Sequence, residues 1–162
     1  AGREIEIHPA ADGLLAVEAT RVAGRRLHAE TGLPVLVTWG PGERWMARTI
    51  VTGMESGAVE APPLPGLRFL AGVLSRARVV AGSDSAALHL AARLGTPTVG
   101  LFGPKDPRIY APYGKEGQVV RGEVACSPCT RRACAFPECM HRIEPARVAD
   151  EIARVAELSR NP

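Results

Sequence analysis

Aromatic side chains are scarce in this sequence. Phe, Trp and Tyr make up 4% of its 162 residues, too few for a surface that holds single-stranded nucleic acid or glycan by stacking. Lysine is scarcer still: only Lys105 and Lys115 occur, and arginine supplies the other cations. The net charge of +3 is mildly basic, and the adjacent basic pairs are Arg25-Arg26 and Arg131-Arg132. No polybasic arm results, which argues against a nucleic-acid partner. The bland account of the charge is a solvated surface; the other is attraction to anionic substrates or to an anionic membrane face. No apolar run reaches the roughly 18 residues of a membrane span, and no signal-peptide pattern opens the chain. It begins at Ala1 directly before a strand-like run, so the start reads as processed or as a piece of something longer. No Gly-x-Gly-x-x-Gly follows a strand-like run, which makes a dinucleotide oxidoreductase a distant reading.

What is present suits one compact α/β domain over 1–162. Hydrophobic residues make up 46% and charged residues 23%, ordinary for a globular core. Strand-like runs occur at Ile5–His8, Val35–Trp39, Arg78–Gly82, Pro97–Phe102 and Gln118–Val120. Helical patterns lie between them. Leu14–Glu30 carries Leu15, Ala19, Val22 and Ala23 on one face, and Glu43–Thr52 is followed by Gly53 as a stop. Leu67, Leu70, Ala71 and Leu74 mark a third helix, Asp84–Leu94 a fourth, and Pro145 opens a last one with Val148, Ile152 and Val155 on one face. The run Ala61-Pro62-Pro63-Leu64-Pro65-Gly66 is too proline-rich for regular structure. This alternation predicts a Rossmann-like open parallel sheet with helices on both faces. Ligands of such sheets bind beyond the carboxyl ends of the strands. The relevant turns are His8-Pro9, Trp39 to Glu43, Gly82 to Ala87 and Gly103 to Asp106.

The turn after Val79-Val80-Ala81-Gly82 carries the clearest chemistry. Ser83 or Asp84 can cap the helix that follows. Ser85, Ala86 and Ala87 then present backbone N–H groups at the positive end of the helix dipole, a ready site for a diphosphate. Small side chains at Ala86 and Ala87 allow close approach. Ala87, Leu90, Ala91 and Leu94 form the apolar stripe, and His89 points away from it. His89 is either a donor to a phosphate or sugar oxygen, or an exposed histidine without a role. A carboxylate repels a diphosphate, so Asp84 is either a helix cap or an acceptor for donor-sugar hydroxyls.

The stretch from Gly82 to Pro107 resembles the signature of glycosyltransferase family 9, which includes the ADP-heptose:lipopolysaccharide heptosyltransferases. Asp84-Ser85-Ala86-Ala87-Leu88-His89 follows the family's Asp-Thr/Ser-Gly/Ala-x-x-His. Arg93-Leu94-Gly95-Thr96-Pro97 corresponds to the family's Ala-Leu-Gly-x-Pro, and Phe102-Gly103-Pro104-Lys105-Asp106-Pro107 to Phe/Tyr-Gly-Pro-Thr-Asp-Pro. Pro112-Tyr113-Gly114, Cys126-Ser127-Pro128-Cys129, Cys139-Met140 and the final Ile143-x-Pro145-x-x-Val148 helix fit the segments that follow. The likeness is strongest from about Val79 onward.

The resemblance implies the donor-binding half of a two-domain GT-B glycosyltransferase. Ser85, Ala86 and Ala87 would hold the donor diphosphate, with Asp84 and His89 beside them. Glu43 would accept from the nucleoside ribose, although an acidic residue in a first helical turn is also favoured by the dipole alone. Leu64 and Pro65 would border the base. The implied reaction inverts the anomeric centre and requires no cofactor. Its donor would be ADP-heptose, its acceptor a lipid-linked or core oligosaccharide, and its place the cytoplasm or the inner face of the cytoplasmic membrane. Two departures qualify this. The family's Lys-x-Trp-Pro segment, whose lysine contacts the donor phosphates, has no counterpart in Ala10-Ala11-Asp12-Gly13. The family's catalytic base belongs to an N-terminal acceptor domain that this sequence does not contain. A nucleotide-binding or interaction module without transferase activity is therefore the alternative.

Cys126, Cys129, Cys134 and Cys139 form a dense cluster. Four thiolates at this spacing could bind a structural zinc, form one or two disulfides, or stay reduced.

Overall fold

The computed structural model describes residues 5–8, 14–113, 117–129 and 134–158; for 5–8, 14–19 and 158 it describes the backbone alone. Pro9 to Gly13, Gly114, Lys115 and the pair Arg131-Arg132 therefore lie outside the described residues, as do the side chains of Leu15 and Ala19.

The elements alternate as expected. The chain runs β1 (Ile5–His8), α1 (Leu14–Thr31), β2 (Val35–Val37), α2 (Arg44–Met54), β3 (Ala58–Glu60), α3 (Leu67–Leu74) and β4 (Val79–Ser83). It continues with α4 (Ala86–Arg93), β5 (Thr98–Phe102), α5 (Pro107–Tyr110), β6 (Gly117–Arg121), α6 (Glu138–His141) and α7 (Pro145–Leu158). The six strands form one sheet in the order β3-β2-β1-β4-β5-β6, and every neighbouring pair is parallel. This is the doubly wound order, whose direction of winding reverses between β1 and β4.

Helices cover both faces because alternate residues of each strand point to opposite sides. On one face Val79 and Ala81 of β4, Val99 and Leu101 of β5 and Val120 of β6 pack with Ala23 and Leu27 of α1, Ile50 of α2 and Ile152 of α7. On the other, Val80 packs with Leu74 of α3 and with Leu88 and Ala91 of α4. The α7 stripe falls as the sequence predicts, with Val148, Ile152 and Val155 all buried. The hydroxyl of buried Thr96 donates to the Leu74 carbonyl at 3.0 Å, tying the turn after α4 to the end of α3.

Several boundaries and faces differ from the sequence reading. Gly53 does not stop α2, which runs on to Met54 before Glu55 takes φ 65°. Its role is close packing: a Cβ there would meet Arg21 Cδ at 2.2 Å, and its carbonyl accepts from Arg21 at 3.0 Å and Arg25 at 2.7 Å. Val22 is 39% exposed, because the buried face of α1 runs through Thr20, Ala23 and Leu27. Leu67 is 71% exposed at the start of α3. On α4 the core residue is Leu88 rather than Leu94, which is the C-cap residue and 43% exposed. Leu88 packs beside Gly100, where an added Cβ would lie 3.2 Å from Leu88 Cδ2. β3, α5 and α6 are additional to the elements expected from the sequence.

Candidate functional site

The site is set by the sheet before any side chain contributes. His8 at the end of β1 is in register with Gly82 near the end of β4, so the two strands finish together at the point where the winding reverses. The crevice beyond them is where doubly wound sheets accept ligands. All five residues of β4 are buried, and the chain leaves the strand at Ser83 and re-enters a helix at Ala86.

The cap of that helix differs from expectation. Ser85, not Ser83 or Asp84, is the N-cap: its backbone is extended at φ −142°, ψ 160°, and its hydroxyl accepts from Leu88 N at 3.4 Å. The first intrahelical bond runs from His89 N to the Ser85 carbonyl at 3.2 Å. The amides of Ala86 and Ala87 precede it and point out of the helix end. With the N-cap filled by Ser85, Asp84 is released from capping. Ser83 is buried, and its hydroxyl has no hydrogen-bond partner among the described residues.

Asp84 instead centres a charged trio. Its Oδ1 lies 3.1 Å from His89 Nε2, and its Oδ2 accepts from Lys105 Nζ at 2.5 Å. The carboxylate is 16% exposed, against 45% for His89 and 52% for Lys105. Burial pushes the Asp84 carboxyl up, but the hydrogen bonds from Lys105 and His89, with their charges, outweigh it and hold it below the ordinary carboxylate range. His89 therefore stands off the apolar face of α4, as its spacing suggests, and is anchored at the ligand edge.

Lys105 comes from the turn after β5, the strand next to β4. The adjacent Asp106 is consumed locally. Its carboxylate caps α5 by accepting from Arg108 N at 3.0 Å and pairs with the Arg108 guanidinium at 2.7 Å. The hydrogen bonds from Arg108 hold its carboxyl below the ordinary range. Lys105 Nζ also sits 5.2 Å from the Tyr110 ring centroid, within cation–π range. The sequence reading did not single out Lys105 as a site residue. The available signal was its rarity, one of two lysines in the chain, at a position where the family pattern has threonine.

Glu43 lies in the turn after β2, the strand on the far side of β1. Its Oε2 accepts from Gly40 N at 2.8 Å, which bends the carboxylate back over its own turn; it is also the residue preceding α2. Leu64 is half-buried and Pro65 exposed in the run after β3. That run is tied to β2 by Ala61 N to the Val37 carbonyl at 2.9 Å and by the Trp39 indole N–H to the Ala61 carbonyl at 2.9 Å. The sequence-predicted residues thus follow one edge of the sheet, from β4 across β1 to β2 and β3.

The loop Cys126–Cys129 braces this arrangement. Ser127 donates to the Gly103 carbonyl at 2.8 Å, and Cys129 N donates to the Pro104 carbonyl at 2.8 Å. The Cys126–Cys129 loop therefore supports the turn that carries Lys105. All four cysteines are free, Cys139 buried and Cys126 and Cys134 exposed. Burial pushes the Cys139 thiol up, with smaller contributions from Cys129 and Cys126. Among the described residues no group of His, Cys, Asp or Glu is arranged to hold a metal ion.

Fold and site together define a doubly wound α/β domain with an exposed helix terminus at its switch point. The chain belongs to glycosyltransferase family 9 (heptosyltransferase), whose profile matches residues 24–140. Lipopolysaccharide heptosyltransferase 1 of Pseudomonas aeruginosa is 32% identical over 140 residues, a match that covers 76% of this chain and 39% of the relative. E. coli heptosyltransferase WaaC with ADP superposes with a TM-score of 0.75 at 25% identity, covering 96% of this chain and 45% of that one. E. coli heptosyltransferase WaaC with ADP-2-deoxy-2-fluoro heptose gives a TM-score of 0.70 at 25% identity over 95% of this chain and 44% of that one. The chain spans about two fifths of the length of the curated relative from Pseudomonas. Among the described residues no helix is long and apolar enough to cross a membrane.

Proposed function

We propose that this chain is the donor-binding part of a GT-B glycosyltransferase that transfers heptose from ADP-heptose to a lipopolysaccharide-type acceptor. The observation that carries the reading is the switch-point crevice, where the α4 terminus and the Asp84–His89 pair face the ligand edge. The likeness to E. coli WaaC with ADP supports the nucleotide, and that to WaaC with ADP-2-deoxy-2-fluoro heptose supports the sugar.

In this reading the amides of Ala86 and Ala87 hold the diphosphate, and the positive end of α4 stabilises the charge that gathers on it as the glycosidic bond breaks. Glu43 accepts from the ribose hydroxyls, and Leu64 and Pro65 border the base. Asp84, its carboxyl held below the ordinary range, accepts from donor-sugar hydroxyls. It is a poor general base, because Lys105 and His89 lower its proton affinity. The base that activates the acceptor belongs in this reading to an acceptor-binding part, and the working place is the inner face of the cytoplasmic membrane.

Isothermal titration with ADP tests the donor assignment. The expected result is saturable binding of ADP that ADP-heptose displaces. Absence of binding by any nucleoside diphosphate, in a protein that also carries an acceptor-binding part, would overturn the assignment.

A further inference from the structure

We propose that the outer face of α3 and α4 is a docking surface that seats the protein on an anionic lipid leaflet. The proposal rests on the reading above, in which the protein works at the cytoplasmic membrane, and it names the surface that meets the lipid.

The net charge of the chain is concentrated on this face. Residues 61–104, the stretch that holds both helices, carry Arg68, Arg76, Arg78 and Arg93 against the single acid Asp84. Outside it cations and acids balance at 16 each, so the whole net charge of +3 belongs to this stretch. Asp84 does not neutralise the arginines, because it is paired with His89 and Lys105. Arg78, at the start of β4, is tied to the Ala156 carbonyl at 3.2 Å. Arg68, Arg76 and Arg93 are all exposed. Among the described residues they are the arginines that make no hydrogen bond or ion pair. Three such cations on one side, with no free acid among them, make a positive field that attracts an anionic surface.

The same face exposes apolar side chains. The helix α3 reads Leu-Arg-Phe-Leu-Ala-Gly-Val-Leu, yet Leu74 is the one residue of it that is buried. Leu70 and Leu74 point inward against α4. Phe69 points outward and is 59% exposed. Arg76 lies seven residues on, which returns it to the outer line of Phe69, and its N–H donates to the Val73 carbonyl at 3.0 Å as the turn continues. Gly72 lies between them, with no atom within 4 Å of where its Cβ would stand. Leu67 is exposed at the start of α3, and Leu94 at the end of α4. The bond from Thr96 to the Leu74 carbonyl holds the ends of the two helices together, so Arg76 and Arg93 flank one junction.

Lipid fits this pattern better than protein does. A stable protein interface gathers its apolar side chains at the centre and excludes charge from it. Here Leu67, Phe69 and Leu94 are interspersed with three arginines. A second copy of the chain would set these arginines against themselves, because a two-fold interface presents the same patch on both sides. At a lipid surface the two kinds of side chain act together: apolar ones enter between the head groups while the cations stay at the phosphates. The placement also suits the reaction. Strands β3 and β4 end at the ligand edge, and α3 and α4 begin there. A leaflet against the outer face of these helices therefore lies beside the mouth of the donor crevice.

The test is cosedimentation of the full protein with vesicles of phosphatidylcholine, and with vesicles of phosphatidylcholine mixed equally with phosphatidylglycerol. The wild type is expected to prefer the mixed vesicles by about a hundredfold, from about fivefold for each arginine held near an anionic leaflet. High salt should erase that preference. Combining Arg68→Gln, Arg76→Gln and Arg93→Gln should abolish it at low salt, with the melting temperature and ADP binding unchanged. Phe69→Ser should weaken binding to the mixed vesicles at low and high salt alike. A wild type with no preference for anionic vesicles would overturn the proposal, as would a triple variant that keeps the preference. Vesicle binding unchanged in Phe69→Ser, with loss of a dimer on size exclusion, would assign the face to a second copy and overturn it too. Titration with ADP reports separately on the donor site. A wild type that prefers anionic vesicles yet binds no nucleoside diphosphate would overturn the donor reading and leave the docking surface standing.

Discussion

Asp84 shows how one residue changes meaning between sequence and structure. By spacing it could equally be a helix cap. In the fold Ser85 takes the cap, and Asp84 is left to bridge His89 and Lys105. Its depressed carboxyl has a consequence with a definite sign. Stabilisation from this trio is present in full above the ordinary carboxylate range, near about pH 4. It is lost as pH falls through Asp84's own, lower value. The difference in urea midpoint between wild type and Asp84→Asn should therefore persist at pH 5 and close only in stronger acid. Its size should be about 1 kcal/mol or less, since Lys105 and His89 are half exposed and solvent screens them. A difference that closed by pH 6 would show that a group other than Asp84 carries it. His89 was legible as a residue off the apolar face, and Glu43 as an acid at the edge of β2. Lys105 was not, because nothing local announces a side chain that acts across to the neighbouring strand's turn.

Among the elements, those with internal periodicity were readable and those made by contact were not. The α7 stripe of Val148, Ile152 and Val155 is a property of the sequence alone. β3 is three residues long and exists because Ala58–Glu60 pairs with Val35–Val37; no alternation could reveal it. The core face of α4 passes through Leu88 because Gly100 leaves room there, a fact that belongs to β5. The same logic governs the brace behind the site. A Cβ on Gly122 would lie 2.1 Å from the Cys139 carbonyl oxygen, and backbone cannot yield as a flexible side chain would. Gly122→Ala should destabilise the protein by about 1–3 kcal/mol through overpacking, read as a lowered urea midpoint with an unchanged slope. An unaltered midpoint would mean that the segment after β6 is not packed tightly on α6.

At the scale of the whole molecule, the order β3-β2-β1-β4-β5-β6 does most to fix function. It brings the ends of β1 and β4 together, sets the α4 terminus at the reversal, and lays Glu43 and Leu64 along the same edge. The sequence made the alternation visible, and hence the sheet. The strand order was not readable from it, because that depends on which helix covers which face. The central claim is that backbone amides at the start of α4, more than side chains, hold the donor diphosphate. Ala86→Pro addresses this directly. Proline suits the first helical position and lacks the N–H in question, and Ser85 already has the extended backbone that a residue before proline requires. The variant should fold with a nearly unchanged melting temperature. Titrated with ADP, it should bind about tenfold or more weakly than wild type, as expected for a lost hydrogen bond to a charged group. A folded Ala86→Pro protein that binds ADP as tightly as wild type would contradict the claim.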